Sequence, residues 1–240
     1  MGPASNKTGV IDQLLEAGMS AARLNFSHGT HADHAKTIAN IRLVSKKHQR
    51  FLPILADLQG PKIRTGRLTE SGPVELLPGE ILRLSATRII GDKNIVWVDY
   101  PRLAQDLRKG DRVLIDDGAI ELRVNRIDSQ DVITEIVHGG LLAENKGVNV
   151  PGSTLCLVSL TTKDKRDLNF ALEQGGDYVA LSFVRTAKDI YNLKKRIAAA
   201  QSSAHVIAKI EKPQAIEAID EILALSDGVM IARGDLGVEL

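Results

Sequence analysis

Tyr178-Val179-Ala180-Leu181-Ser182-Phe183 and Val206-Ile207-Ala208-Lys209-Ile210 are two apolar runs of strand length in this 240-residue chain. A helix-length segment, residues 187–200, separates them, and a second one, residues 214–225, leads to a third apolar run at residues 228–232. The runs begin about 25 residues apart, which is the spacing of successive βα units. This part of the chain therefore predicts a parallel sheet with helices between its strands.

The first 60 residues predict the same alternation. Apolar periodicity indicates a helix, a strand, a longer helix and a second strand at residues 10–17, 22–26, 31–48 and 53–58. Thr8 is a candidate N-cap of the first helix, and Gly18 is a candidate stop. One more helix is predicted at residues 163–174, before the strand that begins at Tyr178.

The middle of the chain differs, because helical periodicity gives way to short alternating runs at residues 81–84, 95–98, 120–124 and 132–137. We predict an inserted all-β module, with the chain divided into residues 1–61, 62–154 and 155–240. Five α/β strands instead of eight indicate either an open sheet or a partial (β/α)₈ TIM barrel that belongs to a longer chain. The second interpretation is favoured, because residues 232–237 are predicted to be a catalytic loop that no helix follows before Leu240.

Composition excludes several classes of protein. The chain carries 31 basic and 30 acidic residues and only 3% aromatic residues, so nucleic-acid binding is not expected. No apolar run is long enough to span a membrane, and the first residues do not resemble a signal peptide, so we expect a cytoplasmic protein without one. Cys156 is the single cysteine, which excludes an internal disulfide and is interpreted as a small buried residue rather than a nucleophile.

Polar side chains stand where the predicted strands end, at the edge where parallel α/β folds bind ligands. They are Arg23, Asn25 and Ser27, then Asp57, Lys62 and Arg64, then Lys209 and Glu211, and finally Asp235. Residues two apart share a face of a strand, so the lysine and glutamate of the third group should lie together. Each charge alone could be a solvated or structural one: Lys209 with Glu211 an ion pair, and Asp235 an N-cap.

Convergence of these groups favours phosphate chemistry. Two carboxylates suit Mg²⁺, a lysine beside the metal can stabilise a transferring phosphoryl group, and arginines bind phosphate oxygens in pairs of hydrogen bonds. Other motifs are discounted. Residues 2–8 end in Lys-Thr but are not a P-loop. A zinc site at His28, His31 and His34 is not favoured, because that spacing does not put them on one helical face.

Six motifs, in order along the whole chain, resemble the pyruvate kinase family. They are Gly2-Pro3-Ala4-Ser5, Ala22-Arg23-Leu24-Asn25-Phe26-Ser27-His28-Gly29, Gly60-Pro61-Lys62-Ile63-Arg64-Thr65-Gly66, Lys146-Gly147-Val148-Asn149-Val150-Pro151-Gly152, Ala208-Lys209-Ile210-Glu211 and Ala232-Arg233-Gly234-Asp235-Leu236-Gly237. The resemblance implies a (β/α)₈ barrel with a mobile β-barrel lid inserted after the third strand. It also implies phosphoryl transfer from phosphoenolpyruvate to ADP, giving pyruvate and ATP in the last step of glycolysis.

The resemblance assigns a role to each candidate residue. Glu211 and Asp235 would hold Mg²⁺, Lys209 would stabilise the phosphoryl group in flight, and Arg23 would bind the phosphate of phosphoenolpyruvate. The substrate carboxylate would meet backbone N–H groups around Gly234 and Asp235. The nucleotide would meet Asn25, His28, Arg64 and, from the lid, Lys146. Asp117 of the lid would pair with barrel arginines on closure, and the complete protein would be a homotetramer.

One departure from the family concerns a monovalent cation. In the family, K⁺ is held by side chains that match Asn25, Ser27 and Asp57 and by a carbonyl that matches Leu58. Many members have glutamate where this chain has Lys62. An ammonium there could replace the ion, so K⁺-independent activity is expected.

A second departure concerns the ends of the chain. The first barrel strand should precede Gly2, and two more strands and a C-terminal domain should follow Leu240, so little or no kinase activity is expected of this chain alone. Two alternatives stay open at this point. One is a Mg²⁺-dependent lyase or aldolase acting on phosphoenolpyruvate or an enolate, and the other is a non-catalytic fragment in which the β module binds a partner.

Overall fold

The computed structural model describes residues 1–69, 72–153 and 155–240; Thr154, the last residue of the predicted middle domain, lies outside the described residues. Its strands are β1 (Ala22–Asn25), β2 (Ile54–Asp57), β3 (Val74–Leu76), β4 (Ile81–Ser85), β5 (Ile95–Trp97), β6 (Arg112–Ile115), β7 (Ile120–Asp128), β8 (Asp131–His138), β9 (Gly140–Leu142), β10 (Val148–Asn149), β11 (Tyr178–Leu181), β12 (His205–Ile210) and β13 (Gly228–Ile231). Its helices are α1 (Thr8–Glu16), α2 (His31–Lys47), α3 (Leu103–Asp106), α4 (Thr162–Glu173), α5 (Ala187–Ala199), α6 (Pro213–Glu217), α7 (Ile219–Leu225) and α8 (Arg233–Glu239).

The described chain divides into two compact units, of which the first comprises Met1–Pro61 and Val158–Ala232. Its sheet is entirely parallel in the order β1-β2-β11-β12-β13, with α2, α4, α5 and the α6–α7 pair in the crossovers. Apolar side chains from strands and helices form its core, for example Leu24 with Ile41 and Val179 with Leu193. The predicted α/β class is confirmed, and five parallel strands are consistent with part of a barrel.

Three of the helices begin with a threonine followed three residues later by an aspartate. Thr30 with Asp33 opens α2, and Thr161 with Asp164 opens α4, each as a reciprocal capping box. At α5, Asp189 accepts the Thr186 N–H at 3.1 Å. A capping box satisfies backbone N–H groups that the first helical turn leaves without partners. Each of these helix starts is therefore specified by a segment of four residues, from the threonine to the aspartate.

The second unit comprises Lys62–Leu157 and Arg233–Leu240. It contains a sheet in the order β10-β6-β7-β8-β4-β5, in which all neighbours are antiparallel except β4 and β5, and a small antiparallel pair, β3 and β9. Alternation along the long strands packs side chains such as Leu122, Val124 and Ile136 into one apolar core. The alternating runs predicted for the middle of the chain are strands.

Several local predictions are wrong. Thr8 does not cap α1 but is its first residue, with Lys7 at the N-cap position. The helix predicted at residues 214–225 is interrupted at Ala218, whose backbone (φ −102°, ψ 24°) ends α6 and starts α7. Cys156 is exposed rather than buried, because its segment lies outside regular structure and its N–H donates to Asp106 Oδ2.

The run predicted to be a loop without a following helix is also different, because α8 begins at Arg233 directly after β13. Asp235 lies in its first turn, where a carboxylate favours a helix. At its other end, buried Glu239 accepts a hydrogen bond from Asn149 Nδ2 at 2.6 Å. Among the described residues, no helix has the length and apolar character needed to cross a membrane.

Candidate active site

A buried cluster of charged side chains lies where strands β2 and β12 of the first unit end. The Lys209 ammonium is 2.7 Å from Glu211 Oε1 and 3.3 Å from Asp57 Oδ1. Both carboxylates are 1% exposed, and the lysine is 8% exposed. Charges buried to this degree need partners, and here the lysine is shared by two of them. The prediction that Lys209 and Glu211 share a face is confirmed.

Arg23 joins this cluster from the neighbouring strand β1. The parallel register places Asn25 opposite Asp57, and Arg23 reaches the same carboxylate with Nε at 2.7 Å and Nη2 at 2.5 Å. The arginine side chain is 49% exposed, whereas that of Asp57 is 2% exposed. A guanidinium anchored at its inner edge and open on its outer side can bind an anion such as phosphate.

Sequence reasoning missed two residues that follow β11. Ser182 Oγ accepts a hydrogen bond from Lys209 Nζ at 2.7 Å and donates one to the Leu58 carbonyl at 2.7 Å. The Phe183 N–H donates to Glu211 Oε2 at 2.7 Å. The signal that could have found them is their position at the carboxyl end of a predicted strand, the same criterion that selected the other candidates.

Of the oxygens assigned to a monovalent cation, those of Asn25, Asp57 and Leu58 already accept hydrogen bonds from the protein. Asn25 Oδ1 accepts the Ser27 N–H at 2.9 Å, and Leu58 O and the Asp57 carboxylate are bonded as described above. Asn25 Oδ1 and the Leu58 carbonyl each have a further lone pair, and oxygen ligands suit a monovalent cation in kind, whereas both Asp57 oxygens already meet donors from Arg23, Lys209 and Ser182.

The other predicted nucleotide-binding residues lie in the second unit, except Asn25 and the exposed His28. The backbone of Arg64 forms an isolated antiparallel β-bridge with Gly147, the residue after Lys146. The Arg64 guanidinium donates to the Asn145 carbonyl at 3.0 Å. The Lys146 ammonium is 2.9 Å from Asp116 Oδ2, next to Asp117. The backbone segments that carry Arg64 and Lys146 therefore run side by side, and their side chains contact different partners.

Two further candidates of the second unit approach each other. Lys62 Nζ lies 4.0 Å from Asp235 Oδ1, and both side chains are partly exposed. Gly234 and Asp235 are in the first turn of α8. The pair is consistent with a weak, solvent-screened attraction.

The histidines after β1 have structural partners. His31 Nε2 is 2.8 Å from Asp167 Oδ1, and the ring of His34 packs on Phe26 with its Nε2 2.9 Å from the His28 carbonyl. Burial lowers the pKa of His34. Among the described residues, the carboxylates and imidazole close enough for a shared metal are instead Asp12, Glu16 and His48, where Lys47 also holds Asp12.

A cavity of about 730 Å³ lies at the opposite end of the parallel strands. Phe51, Tyr178 and His205 are among its lining residues, and none of the predicted site residues lines it. Because parallel α/β folds bind their ligands beyond the carboxyl ends of the strands, the cluster around Lys209 remains the candidate site.

Comparison with known proteins agrees with this geometry. The family model "Pyruvate kinase, barrel domain" matches residues 1–240. The chain belongs to the pyruvate kinase family. It is 44% identical over 243 residues to a pyruvate kinase of Geobacillus stearothermophilus, 45% identical over 240 residues to one of Mycobacterium intracellulare, and 42% identical over 252 residues to one of Homo sapiens. All of this chain is covered in each comparison.

The chain spans 41%, 51% and 44% of the length of these three pyruvate kinases, respectively. Membership of the pyruvate kinase family does not favour the lyase or aldolase alternative. The relatives are named pyruvate kinases.

Proposed function

We propose that the protein transfers the phosphoryl group of phosphoenolpyruvate to ADP, giving pyruvate and ATP. The observation that carries this proposal is the buried Lys209 ammonium, held between the carboxylates of Glu211 and Asp57 at the carboxyl end of a parallel sheet. A lysine fixed in this way presents its charge at a constant position, as stabilisation of a transferring phosphoryl group requires.

In this proposal Arg23 binds the phosphate of phosphoenolpyruvate and Lys209 stabilises its charge during transfer. Glu211 and Asp235 hold Mg²⁺, whose preference for carboxylate oxygens matches the donor set. Bound Mg²⁺ supplies charge neutralisation for substrate oxygens. The backbone N–H groups of Gly234 and Asp235 receive the substrate carboxylate. In this proposal, cationic groups bind the phosphate and backbone N–H groups orient the carboxylate of the substrate.

We assign the middle of the chain, residues 62–154, as an inserted β-barrel lid domain between barrel segments 1–61 and 155–240. The lid supplies Arg64 and Lys146 to the nucleotide, with Asn25 and His28 completing that site, and Asp117 pairs with arginines on closure.

The remaining assignments follow from the family. Asn25, Ser27, Asp57 and the Leu58 carbonyl form the monovalent cation site, and the ammonium of Lys62 substitutes for K⁺. The protein acts in the cytoplasm as a homotetramer.

A chimaeric enzyme tests the proposal. Residues 1–240 would replace the matching segment of the Geobacillus stearothermophilus relative, and pyruvate formation would be followed with lactate dehydrogenase. We expect turnover that requires ADP and Mg²⁺ and is lost in Glu211→Gln. Release of phosphate from phosphoenolpyruvate without ADP would contradict the proposal. Lys188→Met, on the exposed face of α5, is the matched control.

A further inference from the structure

Ser182 and Phe183, which follow β11, contact Lys209 and Glu211 of the site. The serine hydroxyl bridges Lys209 Nζ and the Leu58 carbonyl, each at 2.7 Å. The next residue donates its backbone N–H to Glu211 Oε2 at 2.7 Å. Ser182 is 2% exposed, so this contact is shielded from competing water.

The backbone of Phe183 is in the left-handed region, with φ +55°. This conformation is unfavourable for a bulky L-residue and persists only where the surroundings impose it. The kink turns the N–H toward the Glu211 carboxylate, which is a buried anion in need of donors. The strain thus coincides with a specific contact to a candidate metal ligand.

Gly60 leaves the space that this kink requires. A Cβ atom at Gly60 would lie 2.7 Å from Phe183 Cδ2 and 3.0 Å from Ser182 Cβ. Gly60 itself has φ +71°, and its N–H donates to the buried Asp164 Oδ1 at 3.0 Å. The loop after β2 and the kink after β11 therefore fit together only without a side chain at this position.

We propose that Ser182 and Phe183 form a positioning element that orients the Lys209 ammonium and the Glu211 carboxylate, with Gly60 as the residue that permits its kinked backbone. The inference rests on the proposed function for the use of that orientation. Oε2 of Glu211 is occupied by the Phe183 N–H, so the same carboxylate is held at a constant angle toward Lys209 through Oε1. Partners behind a metal ligand commonly change affinity or activity by about 10- to 100-fold when removed.

A pair of glycine variants separates positioning from backbone strain. Gly60→Ala introduces the close contacts with Phe183 and Ser182. Gly175 has the same φ of +71°, but nothing lies within 4 Å of a Cβ added there, so Gly175→Ala introduces the backbone strain alone. Mn²⁺ binding to the purified chain would be measured by electron paramagnetic resonance. We expect an affinity loss of about tenfold or more in Gly60→Ala and little change in Gly175→Ala. Phe183→Ala added to Gly60→Ala should restore part of the affinity.

A serine pair tests the lysine side of the element. Ser182→Ala removes the hydroxyl partner of Lys209, whereas Ser226→Ala removes a hydroxyl that bonds the Ile222 carbonyl within its own helix turn. In the chimaeric enzyme we expect kcat to fall about tenfold in Ser182→Ala with little change in the KM for phosphoenolpyruvate. A parallel loss in both variants, or a change confined to KM, would overturn the assignment.

A measurement without metal or turnover keeps this inference distinct from the proposed function. Amide exchange at Phe183 should be at least tenfold faster in Glu211→Ala than in the parent chain, because the N–H loses its acceptor. Unchanged exchange overturns the positioning element. Faster exchange in a chain that binds neither Mn²⁺ nor phosphoenolpyruvate supports the element and contradicts the proposed kinase.

Discussion

Lys209 and Glu211 form an ion pair of 2.7 Å in which the lysine is 10% and the glutamate 1% exposed at the side chain. Removing one partner of a buried pair leaves the other charge uncompensated, which costs about 3–5 kcal/mol. Asp57 keeps a second cation, Arg23, whereas the ammonium of Lys209 is the cation that the structure shows on Glu211. Loss of either partner alone should therefore destabilise the fold as well as disrupt the site.

Lys209→Met should destabilise the first unit by about 3 kcal/mol, because the Glu211 carboxylate stays buried beside an apolar side chain. Urea unfolding followed by far-ultraviolet circular dichroism measures the change. Lys188→Met, at an exposed position of α5, serves as the control. A difference below about 1 kcal/mol between the two variants would show that the pair is solvated.

Arg23→Lys should weaken phosphoenolpyruvate binding by about tenfold or more, because an ammonium cannot replace the planar two-donor contact. The effect on the free energy of unfolding should be small, since the arginine is half exposed. Isothermal titration of the chimaeric enzyme with phosphoenolpyruvate measures the affinity. Arg42→Lys changes a second arginine–aspartate pair, with Asp177, and should leave the affinity unchanged.

Lys62→Glu should make the activity of the chimaeric enzyme depend on K⁺, because the substitution removes the ammonium proposed to replace that ion. The parent chimaera should be equally active with K⁺ and with tetramethylammonium. Lys109→Glu, an exposed substitution with the same charge change, should behave as the parent. Strong K⁺ activation before any substitution would rule out the role of Lys62.

The free energy of unfolding of the first unit should fall as the pH drops below about 6.5, the unperturbed pKa of histidine. Burial lowers the pKa of His34 in the folded state, so between the two pKa values the unfolded chain binds more protons. The contribution of His34 is at most about 1.4 kcal/mol per pH unit.

His34→Gln keeps a donor for the His28 carbonyl and should flatten this dependence. Urea titrations at pH 7.5 and 5.5 decide the matter. An equal slope with and without His34 would assign the proton uptake to other groups.

Asp164→Ala should cost about 2–4 kcal/mol, because this one carboxylate caps α4 and also accepts the Gly60 N–H. Asp33→Ala is the matched comparison, since Asp33 forms the same capping box with Thr30 at an exposed position. It should cost clearly less. Equal losses in the two unfolding titrations would mean that the Gly60 contact adds nothing.

Much of the site could be predicted from the sequence, because its determinants are local. A two-residue spacing places Lys209 and Glu211 on one face whatever the rest of the fold does, and strand-length apolar runs identify which strand ends matter. The contact of Arg23 with Asp57 requires the parallel register of β1 and β2, which no local pattern specifies.

The kink at Phe183 could not be predicted, since nothing in the residue type favours a positive φ. It depends on Gly60, which is distant in sequence. The start of α8 at Arg233 was missed for a related reason, because its anchor at Glu239 is a contact with Asn149 in another part of the chain. In both places, contacts between residues distant in sequence determine the backbone conformation, and local propensity does not.

The threonine–aspartate helix starts of α2 and α4 have a consequence for how the chain finds its structure. Three of the four parallel pairings join strands that begin about 25 to 30 residues apart in sequence, and β2 and β11 are much further apart. Closing such loops is slow compared with forming a helical turn. Helix starts that are specified by the four residues of a capping box can form transiently before any strands pair. They mark natural junctions between modules, where segments from different relatives could be exchanged without disturbing the helix that follows.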